Sequence, residues 1–163
     1  MSTLPHLVYR VDYPTAQTTY NPSSGFRAKN QTTILSTTFT LKTTLIPHLT
    51  WATNRSSPFI SVFSSKSHAE QWARHLSAQK GGMRCYVLTI NTRMLGRGPV
   101  FRAEDWVGEV VEGGEGMGGR ELTEWSWNHE GEYLIMYKIP KEAIVDELDV
   151  GGEDEVFRAL GLE

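Results

Sequence analysis

Two glutamates separated by one residue stand at the start of an apolar stretch, and they are the first candidates for chemistry. Glu130 and Glu132 flank Gly131, and residues Tyr133 to Ile139 are rich in β-branched and aromatic side chains and end at a proline. This composition predicts a strand that is buried on both faces. Because side chains alternate along a strand, both carboxylates would point to one side, with Cα atoms about 6.5 Å apart. The pair indicates a polar site, or alternatively the hydrated end of a loop.

An arginine lies in the first apolar segment of the chain. Residues Leu7 to Tyr13 alternate apolar and polar side chains just before Pro14, which predicts a strand with Arg10 and Asp12 on one face. Arg10 is either an edge residue whose methylene groups pack while its guanidinium is hydrated, or a residue that binds an anion. The second alternative follows from the fixed fork of guanidinium donors, which suits a diphosphate.

A serine interrupts the apolar run between Ser57 and Ser65, which predicts a short strand with a hydroxyl set into it. Ser61 either satisfies a neighbouring backbone group or belongs to a site. No Gly-x-Ser-x-Gly elbow surrounds it, which argues against a hydrolase nucleophile.

Three aromatic residues lie where a ligand or target could contact them. Phe26 belongs to the polar, irregular segment 14–38, where it either anchors the loop or stacks on a flat ring. Trp125 and Trp127 come directly before the acidic pair, and they either pack the loop down or face a ligand or a target. We expect His48 to serve in packing.

The remaining pattern indicates a mixture of helices and strands around these residues. Ser67 to Glu70 matches a capping box and predicts a helix that continues to Gly81-Gly82. The further predicted elements are a helix over Phe39–Leu49, a strand over Met83–Asn91, a short strand near Val107–Val111 within a loop-rich region, an edge strand or turn in Lys141–Val150, and a short helix over Asp154–Leu160.

Length and composition indicate one ordinary globular domain over residues 1–163. The chain is 39% hydrophobic and 21% charged, and its net charge of −3 with a pI near 6.0 gives no electrostatic case for binding nucleic acid. The single cysteine, Cys85, excludes an intramolecular disulfide, and the five histidines lack ligand-like spacing, so we expect no metal. The glycine-rich segment 113–119 lacks the Lys-Ser/Thr ending of a phosphate-binding P-loop.

Neither a signal peptide nor a membrane span is indicated, because no basic segment precedes an apolar one and no stretch approaches about 20 apolar residues. We therefore expect a cytoplasmic protein without membrane contact, and separately we expect a monomer. Export without a cleaved signal is the alternative.

The order of Arg10, Ser61 and the Glu130-Gly131-Glu132 motif resembles the Arg-Ser-Glu class of mono-ADP-ribosyltransferases, of the cholera-toxin and heat-labile-enterotoxin A-chain type. The resemblance covers about half of the chain, in the segments Leu7–Asp12, Phe59–Ala69 with the predicted helix and strand that follow it, and Glu130–Ile144. The chain also resembles small fungal domains of unassigned function that carry similar Pro-Phe-Ile-Ser and Glu-Tyr-Leu…Ile-Pro segments. One departure is that the Ser-Thr-Ser of the class is here Ser61-Val62-Phe63, which removes two polar groups that would orient the ligand.

The resemblance implies an α+β fold, a split β-sandwich of two small antiparallel sheets with flanking helices and an NAD cleft between them. It also implies NAD as a substrate without a metal, and a protein target with an accessible arginine as the partner. The alternatives are an NAD glycohydrolase and an inactive module that keeps the fold. Transfer to a nucleic-acid base is disfavoured by Glu130 and by the acidic charge balance.

The resemblance also implies a role for each candidate residue. Glu132 would stabilise the oxocarbenium-like ribose, Ser61 would hydrogen-bond Glu132, and Glu130 would orient and deprotonate the target guanidinium. Arg10 would grip the NAD diphosphate, with Asp12 and Phe26 completing the NAD site. Trp125 and Trp127 would contact the incoming arginine.

Overall fold

The structure is a computed structural model that describes residues 4–16, 18–31, 41, 44–45, 48, 57–96, 98–106 and 131–150. The strands of this part are β1 Leu7–Asp12, β2 Phe26–Arg27, β3 Phe59–Phe63, β4 Cys85–Asn91, β5 Val100–Arg102, β6 Glu132–Met136, β7 Lys138–Ile139 and β8 Ile144–Val150. Helix α1 spans Lys66–Gln79, and two 3-10 turns span Thr92–Met94 and Lys141–Ala143. Leu41, Thr44, Leu45 and His48 also have helical conformation, as predicted for this segment.

Six strands form one antiparallel sheet in the order β5-β6-β3-β1-β4-β8, and β2 and β7 form a second, two-stranded sheet. The α+β prediction is therefore confirmed. The large sheet has a weak line, which we call the seam, between β1 and β3. These two strands share the single pair Tyr9 and Phe63, whereas β1 makes six residue pairs with β4 and β3 makes five with β6. The seam divides the sheet into two groups of three strands.

Two apolar clusters cover opposite faces of the large sheet. The first lies between the large sheet and the two-stranded sheet, and it includes Val8, Phe26, Ile60, Val62, Leu88, Ile90, Ile135 and Ile139. The second lies under α1 and includes Val11, Phe63, Ala69, Ala73, Leu76, Cys85, Val87 and Val150. Strand alternation explains the division, because successive side chains of β1, β3 and β4 enter different clusters.

The predicted single strand over Tyr133–Ile139 is wrong, because the chain breaks at Tyr137. This residue has a φ of 67°, a left-handed conformation that ends β6 and sends β7 to the two-stranded sheet. Hydrogen bonds hold it there. The Tyr137 N–H donates to the Pro58 carbonyl (2.8 Å), and its own carbonyl accepts from the Ala28 N–H and the Gln31 amide.

The predicted capping box is also wrong in its position. The N-cap of α1 is Ser65, whose extended backbone lets its hydroxyl accept a hydrogen bond from the His68 N–H at 3.2 Å. The helix itself, the strands β1 and β4, and the edge strand β8 are confirmed. Strand β5 was not predicted. The predicted elements at 107–111 and 154–160 lie outside the described residues. No helix in the described part of the chain is long and apolar enough to cross a membrane.

Candidate active site

Arg10 links the two halves of the large sheet across the seam. It follows Tyr9, the only β1 residue paired with β3, and its Nη1 donates to the Ser61 carbonyl of β3 at 2.9 Å. Its Nη2 donates to the Thr18 carbonyl, also at 2.9 Å. A guanidinium has five N–H donors, so each Nη keeps one further N–H for a ligand. The edge-residue alternative for Arg10 is wrong, because β1 lies inside the sheet between β3 and β4 and the Arg10 guanidinium is buried. Anion binding by Arg10 stays a prediction, and the guanidinium keeps donors that could serve it.

Three groups with negative or potentially negative charge act on Arg10. Burial lowers the pKa of its guanidinium, and Tyr13, Asp12 and Glu132 oppose that shift. Glu132 contributes least of the three, and it lies on β6, which pairs with the β3 strand whose Ser61 carbonyl Arg10 contacts. The guanidinium stays charged at neutral pH.

Asp12 ends β1 on the same face as Arg10. Its Oδ2 accepts a long hydrogen bond from the Tyr20 N–H (3.5 Å), while Oδ1 is buried without a hydrogen-bond partner among the described residues. Burial raises the pKa of the Asp12 carboxyl above its ordinary value of 3.8, and Arg10 and backbone N–H groups oppose the shift. Asp12 thus supplies negative charge beside Arg10.

Glu132 is the first residue of β6 and is only 4% exposed. It pairs with Phe63 across the sheet, and Ser61 pairs with Leu134. Directly opposed residues share a face, and alternate residues of one strand do as well, so the Glu132 carboxylate and the Ser61 hydroxyl point to the same side. Arg10 leaves β1 on the other side, because Tyr9 shares the face of Phe63. The Ser61 and Glu132 side chains therefore share one face of the sheet beside the seam, and Arg10 reaches the Ser61 backbone from the other face.

The Ser61 hydroxyl has a different partner from the one predicted. It hydrogen-bonds Nε2 of His48 at 2.6 Å, and Nδ1 of the same ring contacts the Ser57 hydroxyl at 2.6 Å. In either neutral tautomer one ring nitrogen donates and the other accepts, so the imidazole connects the two hydroxyls. Ser57 is held in turn by the Phe59 N–H, which donates to its oxygen at 3.0 Å.

His48 is the site residue that the sequence analysis missed. Its ring packs edge-on against Phe59, with centroids 5.7 Å apart, while both its nitrogens are engaged by serines. A sequence signal existed, since Leu41, Leu45 and His48 follow the i, i+4, i+7 spacing of one helix face and Leu45 is buried. That spacing directs His48 inward.

Phe26 differs from its predicted role. Its side chain is fully buried in the first apolar cluster, and the Arg10 guanidinium carbon lies 5.4 Å from its ring centroid. The Tyr20 ring packs on it as well, with centroids 5.6 Å apart. Stacking on a ligand ring is wrong for this residue because these neighbours already cover it. It supports the guanidinium through a cation–π contact instead.

Glu130, Trp125 and Trp127 lie outside the described residues, and their predicted roles stay predictions. Among the described residues, no group of three or more His, Cys, Asp or Glu side chains is arranged to hold a metal ion. The described part of the site thus combines a guanidinium with free donors, a buried carboxylate, and a hydroxyl oriented by an imidazole. Such a set can bind an anion and stabilise a developing positive charge beside it.

Comparisons with known proteins agree with this architecture. A family model described as "Domain of unknown function (DUF7587)" matches residues 3–152. The solved structure of EcPltA, a pertussis-like toxin A subunit with the ADP-ribosyltransferase fold, is similar with a TM-score of 0.59 and 21% sequence identity. The similarity covers 89% of this chain and 75% of EcPltA. No curated protein matches the sequence. The chain thus has the ADP-ribosyltransferase fold.

Proposed function

The chain belongs to the DUF7587 family, and we propose that it is an NAD-dependent mono-ADP-ribosyltransferase that modifies arginine on a protein. The observation that carries the proposal is the proximity of Arg10, Ser61 and Glu132 beside the seam. Arg10 hydrogen-bonds the Ser61 carbonyl, and the Glu132 charge reaches Arg10. EcPltA, which shares the fold, is an ADP-ribosyltransferase.

The first chemical step is cleavage of the bond between ribose C1′ and the nicotinamide nitrogen. The bonding electron pair leaves with nicotinamide, which becomes neutral, and positive charge develops on the ribose. Glu132, buried at the start of β6, stabilises that charge and accepts a hydrogen bond from the ribose 2′-hydroxyl. The free Nη donors of Arg10 bind the diphosphate and hold the ribose in place.

The second step joins the target to the ribose. A guanidinium nitrogen of the target arginine forms the new bond to C1′ and gives up one proton, which Glu130 accepts as a general base. Trp125 and Trp127 contact the incoming guanidinium through their ring faces. Ser61 is held by His48 at the edge of this site, and it hydrogen-bonds the ligand or keeps the β3 backbone aligned with Arg10.

The departure from the Ser-Thr-Ser pattern affects the site at one position. Val62 is fully buried in the first apolar cluster, on the sheet face opposite Ser61. The valine therefore removes no polar group from the face that carries Ser61 and Glu132. Phe63 does share the face of Ser61 and Glu132, and its ring packs against His68 with centroids 4.9 Å apart. The loss of polarity is therefore limited to Phe63, and the residues that cleave NAD in the first step remain.

The test is incubation of the protein with NAD labelled in its adenylate half, with and without an arginine-rich acceptor protein. Labelled acceptor indicates transfer, free labelled ADP-ribose indicates NAD hydrolysis, and unchanged NAD indicates an inactive module. Glu132→Gln, which keeps the size of the side chain, should lower both activities by about a hundredfold or more, equivalent to about 3 kcal/mol. Glu130→Gln should remove transfer and spare hydrolysis.

Glu147→Gln is the matched control, because Glu147 is an exposed glutamate on the edge strand β8 and should keep full activity. Undiminished arginine transfer in Glu132→Gln would refute the assignment of the central carboxylate. Undiminished transfer in Glu130→Gln would refute the role of the general base while leaving Glu132 in place.

A further inference from the structure

A carboxylate outside the Arg-Ser-Glu set contacts the backbone directly before Glu132. One oxygen of Glu104 accepts a hydrogen bond from the Gly131 N–H at 2.7 Å, and the other lies 3.3 Å from Nη2 of Arg102. A carboxylate in a charge-assisted bond of this length is a strong acceptor. Arg102 ends β5, which pairs with β6, so Glu104 is tied to the strand that carries Glu132.

The backbone of Gly131 is held from two sides. Its N–H binds Glu104, and its carbonyl accepts from the Ser64 N–H at 2.9 Å. Its φ of 68° is left-handed, and a Cβ added there would lie 2.7 Å from the Ser64 hydroxyl, so the position favours glycine. The carbonyl of Glu132 accepts from the Ala103 N–H at 2.9 Å. Residues 103 and 104 thus hold Gly131 and Glu132, the last residue of the turn and the first of β6.

We propose that Glu104 is a positioning residue that fixes the Gly131 turn and thereby directs the Glu132 carboxylate into the site. The inference rests on the proposed function, whose first step uses the Glu132 carboxylate. Catalytic groups are sensitive to such placement, because a misplacement of about 1 Å can cost about a hundredfold in rate.

Asp105 provides a matched control on the neighbouring position. Its carboxylate lies 3.4 Å from Nε of the same Arg102, and it is likewise exposed, but it makes no hydrogen bond to Gly131. Glu104→Ala and Asp105→Ala each remove one negative charge and one contact with Arg102. Only the first removes the acceptor of the Gly131 N–H. Glu104→Gln keeps an acceptor oxygen on a side chain of the same length, and it serves as the conservative variant.

The kinetic arm measures nicotinamide release and transfer to a soluble arginine ester for all four proteins. Glu104→Ala should lower kcat by about 10- to 100-fold, while KM for NAD changes by less than about threefold. Glu104→Gln should recover most of kcat, and Asp105→Ala should stay within about twofold of the wild type. Equal losses in Glu104→Ala and Asp105→Ala, or a loss confined to KM, would overturn the positioning role.

The second arm follows hydrogen exchange of the Gly131 amide by NMR and needs no turnover. The amide should exchange slowly in the wild type and in Glu104→Gln, and at least about tenfold faster in Glu104→Ala. If the wild-type protein leaves NAD intact, the proposed function is refuted. The exchange rate of the Gly131 amide would then still test whether Glu104 holds the turn. Unchanged exchange in Glu104→Ala would overturn the inference whatever the activity.

Discussion

Replacement of Arg10 by alanine removes the side chain that braces the seam. Two charge-assisted hydrogen bonds to the carbonyls of Ser61 and Thr18 are lost, together with the contact over Phe26. Hydrogen bonds to a charged group contribute about 1.5–3 kcal/mol each, and an exposed cation–π contact about 0.5–1 kcal/mol. Taking the lower end of both ranges, we expect a loss of about 3.5 kcal/mol in the free energy of unfolding.

A loss of this size lowers the urea midpoint by about 1.75 M for a slope near 2 kcal/mol/M. The protein should remain folded, since typical domains are stable by about 5–15 kcal/mol. Arg10→Lys keeps the charge, but its single ammonium cannot reproduce the forked geometry, so its stability should lie between those of the wild type and Arg10→Ala. Arg93→Ala, which removes an exposed arginine of a 3-10 turn, is the control and should leave the midpoint unchanged.

Stability is measured by urea unfolding, monitored through tryptophan fluorescence. NAD binding is measured by calorimetric titration without urea. We expect Arg10→Ala to be less stable and to bind NAD more weakly while it keeps native secondary structure. A midpoint within experimental error of the wild type would refute the bracing of the seam. Unchanged NAD affinity in a destabilised but folded variant would refute the role in binding and leave Arg10 as a packing residue.

Three further predictions test the backbone, the electrostatics and the helix cap. Gly25→Ala should destabilise strongly, because the new Cβ would collide with the Ile139 carbonyl oxygen. Gly81→Ala has a similar φ but open space, so in urea unfolding it should lose only about 1–2 kcal/mol. The raised pKa of Asp12 means that the folded state binds its proton more tightly, so stability should fall as pH rises from about 3.9 through the folded pKa. Asp12→Asn should flatten this pH profile relative to the wild type, and a parallel profile would contradict the assignment. Ser65→Ala should lower the free energy of unfolding by about 1 kcal/mol, because the N-cap hydrogen bond is lost. Ser67→Ala should lower it by less, and thermal unfolding of both variants measures the difference.

The local pattern was sufficient to predict the strands and helix that have a clear period. The buried face of each of these elements can be read from its local sequence. The signals are the alternation in β1, the apolar run of β4 and the helical spacing of Ala69, Ala73 and Leu76. The break at Tyr137 could not be predicted in this way. A tyrosine in a left-handed conformation is set by distant hydrogen bonds from Tyr137 to Pro58 and from Ala28 to Tyr137, and neither segment adjoins it in sequence.

The sequence by itself determined which side chains could do chemistry: an arginine, a serine and a pair of glutamates in an order that matches a known class. Tertiary structure alone decided where these side chains lie relative to one another. The seam exists because β1 and β3 share a single residue pair, and it is this gap that lets Arg10 reach the Ser61 carbonyl. His48 and Glu104 entered the site in the same way, through hydrogen bonds across 13 and 27 residues. Sequence periodicity reports which face a side chain occupies, but a partner that far along the chain is fixed only when the strands are placed side by side.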